Sequence, residues 1–505
     1  MSRLVLLLSA VLSSVAALAF VAPERAAAGP NQISVFQDDA NFVVGSTHDA
    51  DEAVAEAKAL GADAIRVFVV WSAVSPDARE RTRPAGFDIA DPSSPGYDWS
   101  RYDTVIDRAK RNGLRVFFAF TPEIPYWASE QPGRCPHRIG GYDHLSESCM
   151  WKPSPRLFGE FVAAVAKRYG RSAPAPYGGQ VDYWSPWNEP NLEHYLWPQL
   201  QKTRWGTVDL AGARYRKLWL AAYNSIARHD PRNRGRVLFG ETAAISSPLD
   251  TLHAALCLDE RGQPFKGRMR RLQGCTGKVR RLPIGGLALH PYNNYAIGSV
   301  FTRAATKDSL PMAHLHRAHT FLRTAARYKR IPPRRGIFVT EFGFQSSPPN
   351  PFGDGLSLTR QAAAINEADR LFWGDRQIRS VAQYELFDVG NPDEFNTGLR
   401  LADGEAKPSL AAYRLPLVVT RLAANRVEVW GQVRPAKRRA RLRVDVVGGG
   451  VLRRPLTTAR GFYRFNVTRA NAARLRVRAV WTDPDGVVHR SRVAKAGKPI
   501  AYRED

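Results

Sequence analysis

Eight short runs of β-branched and aromatic residues, separated by amphipathic, alanine-rich stretches, constrain the fold of this chain more than any other feature. The runs are Ile33–Phe36, Ala64–Val70, Arg115–Phe120, Val181–Ser185, Arg236–Phe239, Gly286–Leu289, Gly336–Thr340 and Val381–Leu386. Helices are predicted at Asp51–Leu60, Tyr102–Arg111, Pro155–Tyr169, Gly212–Arg228, Ala313–Tyr328 and Thr359–Trp373. Continuous apolar runs are typical of parallel strands that are buried on both faces. Eight strand–helix repeats therefore predict an α/β fold, a parallel (β/α)₈ TIM barrel.

The pattern changes near Leu415. Beyond it, helical periodicity disappears and short alternating strands take over, as at 426–430, 441–446 and 474–480. Turn residues separate these strands, which predicts a small C-terminal antiparallel β-sandwich. We expect three parts: a signal peptide at residues 1–28, a barrel domain at 29–415 and an accessory domain at 416–505.

The first 28 residues have the features of an export signal. Arg3 gives a positive start, an apolar stretch follows from Leu4 to Phe20, and small residues precede Gly29. A membrane anchor is the alternative interpretation, but the apolar run is short and interrupted by serines. No later segment is long and apolar enough to cross a bilayer. The sequence therefore predicts a secreted, extracellular protein that has no membrane span once the signal is removed.

The chain has four cysteines. They allow three pairings, and the simplest joins Cys135 to Cys149 and Cys257 to Cys275. Disulfides fit the oxidising compartment that export implies. The alternative for the first pair is a metal site at Cys135, His137, His144 and Cys149. Its spacing matches no familiar zinc pattern, and export favours disulfides.

The chain is strongly basic, with a formal net charge of +26 over 505 residues. The basic residues recur along the whole chain and lack the interleaved aromatic residues of a single-strand nucleic-acid binder. We therefore expect no specific nucleic-acid partner. The charge leaves open a loose association with anionic cell-wall polymers.

Two glutamates lie at the ends of apolar runs. Glu189 follows the run Val181–Ser185, and Glu341 ends the run that begins at Gly336. Carboxylates are rarely buried without a partner or a function. The C-terminal ends of barrel strands meet on one face, where active sites lie. Two carboxyl groups there predict cleavage of a glycosidic bond, in which one donates a proton and the other attacks the sugar or activates water.

The neighbouring residues explain how the two carboxyl groups could differ. Arg66 lies inside the second run, and a buried guanidinium is costly unless it faces an anion. If it faces Glu341, it holds that carboxylate ionised, and Tyr292 could hydrogen-bond the same group. Glu189 would then lie near a negative charge, which raises its pKa toward that of a general acid.

Polar and aromatic residues around the two glutamates predict sugar binding. Asn188 is a neutral donor that suits a sugar hydroxyl, and aromatic faces pack against the C–H faces of sugar rings. The tryptophans at strand ends or in the loops that follow are Trp71, Trp127, Trp187 and Trp197. For each of them the alternative is packing. His290 is either a site residue or a core histidine, and Glu241 and Glu385 are interpreted as surface, capping or supporting groups outside the catalytic pair.

The motif Trp187-Asn188-Glu189-Pro190-Asn191, together with Thr340-Glu341-Phe342-Gly343, resembles clan A glycoside hydrolases. These are retaining (β/α)₈ enzymes that include the cellulase-like family 5 and the β-xylosidase-like family 39. The resemblance covers about residues 30–415. It implies that Glu189 is the acid/base and Glu341 the nucleophile, with carboxyl groups ~5–5.5 Å apart.

The resemblance also assigns the residues that surround the two glutamates. It implies that Asn188 contacts the sugar 2-hydroxyl, and it matches Arg66, His290 and Tyr292 to family positions. Two departures concern the sugar next to the scissile bond. The segment 120–127 has no histidine after strand three, and the segment 383–388 has no tryptophan at strand eight. Cellulase activity is therefore not implied.

These features together predict a secreted retaining glycoside hydrolase that acts on O-glycosidic bonds, with β linkages favoured, in an oligo- or polysaccharide. Neither a metal nor an organic cofactor is required. The alternatives are a non-catalytic carbohydrate-binding protein on the same scaffold, a transglycosylase, and a basic surface-interaction protein whose barrel is incidental.

Overall fold

The computed structural model describes residues 31–45, 48–136, 149–293, 296–350, 355–390, 395–436 and 438–503. The predicted signal peptide lies outside these residues, as do His137 and His144 of the alternative metal site. In the described part of the chain, no helix combines the length and the apolar character needed to span a membrane.

Eight parallel strands form the core of the first domain. They are β1 (Ile33–Gln37), β2 (Ala64–Val70), β3 (Arg115–Thr121), β4 (Val181–Ser185), β7 (Leu238–Ala243), β8 (Gly286–His290), β9 (Gly336–Phe342) and β10 (Ile378–Tyr384). Their order in the sheet is β4-β3-β2-β1-β10-β9-β8-β7. A parallel bridge between Trp184 and Val237 joins the two outer strands. The predicted (β/α)₈ barrel is confirmed.

Helices follow the strands around the barrel. They are α1 (Ala50–Ala59), α2 (Trp71–Val74), α3 (Ser100–Arg111), α4 (Pro155–Tyr169), α5 (Leu210–His229), α6 (Pro248–Ala255), α7 (Gly267–Leu272), α8 (His316–Arg327), α9 (Leu358–Trp373) and α10 (Pro408–Arg414). Side-chain caps begin several of them. The Asp49 carboxylate accepts from the amides of Asp51 and Glu52, and Ser154 accepts from the amide of Leu157. Each cap satisfies donors that the first helical turn leaves unpaired.

One strand differs from the sequence prediction in a way that affects the site. The fifth apolar run was expected to end at Phe239, but β7 continues through Glu241 to Ala243. The polar residues Glu241 and Thr242 are buried inside the barrel mouth, where hydrogen bonds compensate Glu241 for its lost hydration. A strand predicted from apolar residues alone therefore ends too early, because these buried polar residues interrupt the apolar run.

Two long connections carry additional structure. A hairpin of β5 (Leu200–Thr203) and β6 (Gly206–Asp209), which the sequence did not predict, lies between β4 and α5. The disulfides Cys135–Cys149 and Cys257–Cys275 confirm the local pairing. Because the sulfurs of Cys135 and Cys149 are bonded to each other, the alternative metal site loses its thiolate ligands.

The C-terminal part of the chain is a β domain. Its strands are β11 (Leu417–Ala423), β12 (Arg426–Gln432), β13 (Arg443–Val446), β14 (Val451–Arg453), β15 (Phe462–Thr468), β16 (Arg476–Thr482), β17 (Val488–Arg490) and β18 (Ala494–Gly497). All pairs are antiparallel except β11 with β18, which run parallel because the last strand returns beside the first. The domain has its own hydrophobic core, which includes Val429, Val477 and Trp481.

The β domain packs firmly against α9 of the barrel. Asn366, fully buried on α9, donates to the carbonyl of Ala412 and accepts from the amide of Leu417 and from Arg492. The last residues return to the barrel, where the Tyr502 hydroxyl donates to Asp375 at 2.5 Å. Three of these four hydrogen bonds cross the junction of the two domains, because Ala412 lies on α10 of the barrel.

Replacement of Asn366 by alanine should destabilise the whole protein. The Asn366→Ala variant leaves buried partners at the junction unsatisfied, and we expect a loss of about 2–4 kcal/mol in the free energy of unfolding. Urea unfolding followed by tryptophan fluorescence measures it. The control is Asn425→Ala in an exposed turn, which should change the free energy by less than about 0.5 kcal/mol. Equal values for the two variants would contradict the junction described here.

Candidate active site

Side chains from β2, β8 and β9, from the end of β7 and from the loop after β4 meet at the C-terminal mouth of the barrel. Arg66, which is fully buried, lies at their centre. Its Nη1 donates to Glu341 Oε1 at 2.6 Å and also to Gln37, and its Nη2 donates to Glu241 Oε2 at 2.9 Å. The guanidinium thus pairs with two carboxylates on opposite sides. The predicted contact between Arg66 and Glu341 is present.

Glu241 is the most enclosed carboxylate of this cluster. It accepts from Ser185 and, at 2.9 Å, from the Thr340 hydroxyl, in addition to Arg66. Burial alone would raise the pKa of Glu241, but the charge of Arg66 and the hydrogen bond from His290 lower it to about 2. Glu241 is therefore ionised at neutral pH. Its ionised form stabilises the fold above pH 4.5, and this contribution is lost as the pH falls through about 2.

His290 lies between the carboxyl groups. Its Nδ1 is 2.8 Å from Glu189 Oε1 and 3.5 Å from Glu341 Oε2, and its Nε2 is 2.7 Å from Glu241 Oε2. Burial would lower the pKa of His290, but the charge of Glu341 and the hydrogen bonds to Glu189 and Glu241 raise it to about 10. Protonation of His290 therefore stabilises the fold. The contribution is complete below pH 6.5 and is lost as the pH rises through about 10.

Glu189 and Glu341 face each other across this histidine. One oxygen of each carboxyl group and one His290 nitrogen all lie within 4.8 Å of one another. Burial, together with the charge of Glu341, raises the pKa of Glu189 above its usual 4.5, although His290 opposes the shift. Tyr292 donates to Glu341 Oε2 at 3.2 Å. The two carboxyl groups therefore have different environments, one favouring a proton and the other held by a guanidinium and a phenol.

The backbone at these carboxyl groups is strained. Glu189 has a φ of +39°, Glu241 of +50° and Trp187 of +83°. Left-handed conformations are uncommon for residues other than glycine and cluster at functional sites. The amide of Glu189 donates to the carbonyl of Glu241 at 2.8 Å, which holds the two strand ends together.

Three of the four tryptophans that were expected to contact sugar are buried, and the fourth, Trp197, is partly buried. Trp71 is 1% exposed, stacks on Phe161 at 5.0 Å and meets Trp127 edge to face at 5.8 Å. Trp127 is 5% exposed, and Trp187 is fully buried, with its indole N–H donated to the carbonyl of Tyr195 at 3.0 Å. All three therefore pack within the protein. Their contact with sugar stays a prediction.

Asn188 and a cluster of aromatic rings around Tyr292 form the rest of the barrel mouth. Asn188 is 3% exposed, and its Oδ1 accepts from Arg66 Nη2 at 3.3 Å, which directs the amide nitrogen away from the guanidinium. Tyr292 meets the ring of Phe395 at 5.5 Å and that of Tyr384 at 6.4 Å. Tyr384 ends β10, where the resemblance would have a tryptophan. The aromatic surface beside Glu341 is thus built from smaller rings.

The spacing of Glu189, His290 and Glu341 could also suit a divalent cation. Metal-ligating histidine must be neutral, however, with one nitrogen free to coordinate. Here both nitrogens of His290 face carboxylates and its pKa is raised to about 10. Arg66 already supplies a positive charge to Glu341. The donor set therefore fits proton transfer better than metal binding.

Two residues of the cluster, Glu241 and Gln37, lie outside the catalytic pair that the sequence predicts. Glu241 had the same signal as the two chosen glutamates, because it also follows an apolar run. The sequence leaves it outside the catalytic pair as a surface, capping or supporting group, and its contacts with Arg66 and His290 make it a supporting one. The fully buried Gln37, at the end of β1, gave no comparable signal.

This chain resembles known proteins in structure but matches none of the families or curated proteins in sequence. No protein-family model matches this chain, and no curated protein does. A glucosidase from Croceicoccus marinus matches with a TM-score of 0.49 and 11% identity, over 87% of this chain and 80% of its own. Xylanase B from Clostridium stercorarium F9 matches with a TM-score of 0.42 and 13% identity, over 76% of this chain and 96% of its own.

A calcium-binding mutant of β-glucuronidase 2 from Bacteroides uniformis matches with a TM-score of 0.40 and 11% identity. The match covers 93% of this chain but 45% of that protein, so this chain spans less than half its length. One fold hosts many different activities. Structural similarity at 11–13% sequence identity therefore does not assign an activity to this chain.

Removing the charge of Glu241 should lower the pKa of His290. In the Glu241→Gln variant the amide still accepts a hydrogen bond, but the anion is gone, so we expect the pKa of His290 to fall by about 1–3 units. NMR titration of the histidine ring measures it. The control is Glu52→Gln on the exposed face of α1, which should leave the titration unchanged. A His290 that titrates near pH 6.5 in the unaltered protein would contradict this electrostatic description.

Proposed function

We propose that this protein is a retaining glycoside hydrolase acting on β-linked oligo- or polysaccharides, with Glu189 and Glu341 as its catalytic pair. The observation that carries the proposal is the position of the two carboxyl groups, which have oxygens within 4.8 Å of each other. This proximity fits the ~5–5.5 Å separation of retaining enzymes better than the ~6.5–9.5 Å of inverting ones. The resemblance in sequence assigns the same two residues.

In the first step, a Glu341 oxygen attacks the anomeric carbon as the glycosidic bond breaks. Glu189 gives its proton to the leaving oxygen, and a covalent glycosyl–enzyme ester forms. Arg66 and Tyr292 both contact the Glu341 carboxylate, at 2.6 and 3.2 Å, and fix it in one orientation. Holding the nucleophile in place removes part of the entropic barrier.

In the second step, Glu189 accepts a proton from water and the water oxygen attacks the anomeric carbon. The ester bond to Glu341 breaks and the sugar leaves with its original configuration. His290, hydrogen-bonded to Glu189 at 2.8 Å, orients this carboxyl group throughout. Asn188 is suited to donate its amide N–H to the sugar 2-hydroxyl, because Arg66 already occupies its oxygen.

Export is part of the proposal. Both disulfides fit an oxidising compartment, and the predicted signal peptide supplies the route. Loose attachment to anionic cell-wall polymers would follow from the net charge of +26. It would weaken as ionic strength rises.

Hydrolysis of a panel of aryl β-glycosides and β-linked oligosaccharides tests the proposal. We expect the mature protein to release sugar with retained anomeric configuration, which NMR of the first product detects. Glu341→Gln should abolish turnover. Glu189→Gln should lower kcat/KM about 10²- to 10⁴-fold for poor leaving groups, because it removes the acid. It should lower the first step little for dinitrophenyl glycosides, whose leaving group needs no proton.

Glu52→Gln is the matched control and should keep full activity. An inverted product would contradict the retaining mechanism. Turnover that survives Glu341→Gln would contradict the assignment of the nucleophile. Glycan binding without turnover by the unaltered protein would favour a carbohydrate-binding protein instead.

A further inference from the structure

A cleft with a volume of about 1160 Å³ lies next to the candidate active site. Its near wall includes Asn191 and Leu192, which follow Glu189 by two and three residues, and Ile245 and Ser246, which follow β7. Both segments continue from strand ends at the mouth of the barrel. The cleft therefore begins on the Glu189 side of the site.

Asn191 makes this near wall a fixed part of the barrel. Its Nδ2 donates to the carbonyls of Ala243 at 3.3 Å and Ile245 at 2.7 Å. Its Oδ1 accepts from the amide of Ala243 at 3.1 Å. The loops after β4 and β7 are thus joined by one buried side chain, and the cleft keeps a defined position relative to Glu189.

The far wall is formed by the β5–β6 hairpin and the segment that the second disulfide closes. Trp205 at the hairpin turn is 42% exposed and lines the cleft. The guanidinium of Arg204 lies 4.1 Å from the Trp205 ring centroid, and that of Arg268, on α7, lies 4.7 Å from it. Because Arg268 belongs to the disulfide segment, Trp205 joins the two parts of this wall.

The lining has the mixed chemistry that a sugar chain requires. Apolar groups that could face C–H surfaces are Leu192, Trp205, Ile245, Pro264 and Phe265. Amides and hydroxyls that could meet sugar hydroxyls are Gln199, Thr207, Ser246, Ser247 and Gln263. The charged side chains are five carboxylates and two bases: Glu193, Asp209, Asp250, Asp259, Glu260, Arg261 and Lys266. This excess of carboxylates disfavours a polyanionic glycan, although the chain as a whole is basic.

We propose that this cleft binds the leaving-group side of an uncharged β-linked polysaccharide, so that the enzyme cuts within chains. The inference rests on the proposed function, in which Glu189 protonates the leaving oxygen and the departing chain must run past it. The wall of the cleft begins two residues along the chain from Glu189. Its volume exceeds the ~300–1,000 Å³ of a small-molecule pocket, which suits several successive sugar residues.

The test compares a short and a long substrate in two cleft variants. Trp205→Ala removes the aromatic side chain that contacts both parts of the far wall. Thr207→Trp places a large ring in the cleft from an exposed position on β6. The short substrate is the nitrophenyl β-glycoside of the sugar that the protein accepts. The long substrates are β-1,4-linked gluco-, manno- and xylo-oligosaccharides of two to six units.

We expect Trp205→Ala to lower kcat/KM about tenfold on oligosaccharides of four or more units, since one lost aromatic contact is of the order of 1.4 kcal/mol. Thr207→Trp should lower it by a similar factor, because the added ring occupies space that the sugar chain needs. The nitrophenyl glycoside has a single ring on the leaving-group side and no sugar residues to place along the cleft, so its kcat/KM should stay within about twofold. The unaltered protein should release internal fragments. Leu422→Ala, which removes a side chain that is likewise 42% exposed but lies on the β domain, is the control and should match the unaltered protein.

Melting temperatures show that each variant is folded. If both folded variants keep the unaltered activity on long chains, the cleft does not bind them and this inference is wrong while the glycosidase stands. Equal losses on the short and the long substrate would also overturn it. If the unaltered protein hydrolyses neither substrate, the proposed function fails, and this inference fails with it.

Discussion

The buried guanidinium of Arg66 is the charge on which the candidate site depends. Removing such a cation from water costs several kcal/mol, which only well-placed anions and hydrogen bonds can offset. Arg66 lies on β2, and its partners Glu241 and Glu341 lie on β7 and β9 across the barrel mouth. The ion pairs therefore fix the relative positions of three strands. Without Arg66, Glu241 and Glu341 would share the positive charge of His290, and the pKa of Glu241 would rise.

The charges of the cluster balance in only some protonation states. Arg66 and a protonated His290 supply two positive charges, ionised Glu241 supplies a negative one, and Glu341 forms an ion pair with Arg66 at 2.6 Å. A protonated Glu189 leaves the cluster neutral, which a buried site favours. Under the proposed mechanism Glu341 loses its charge when it becomes an ester, and ionisation of Glu189 then restores neutrality. The same residue is thus an acid before the ester forms and a base afterwards.

The sequence allowed the barrel to be predicted because each strand is encoded locally by a run of apolar residues. The position of β4 agreed to the residue. Contacts between distant segments have no such local pattern, as the contact of Arg66 with Glu241 at a sequence separation of 175 illustrates. From the sequence, Glu241 is predicted only as a surface, capping or supporting group, because its four partners lie on other strands: Arg66, Ser185, His290 and Thr340. The β5–β6 hairpin was missed because it is short and carries few apolar residues.

The net positive charge of the chain does not extend to the cleft beside its candidate site. Many arginines are used inside the fold: Arg434 pairs with Asp369 at 3.0 Å at the domain junction, and Arg400 pairs with Glu56 at 2.7 Å. The cleft next to Glu189 carries more carboxylates than bases. A polyanion attracted by the net charge would therefore be repelled from this cleft, because local charge decides binding over distances shorter than the ~8 Å screening length. Attachment to anionic polymers and binding of an uncharged substrate would then use different surfaces, and one chain could do both at once.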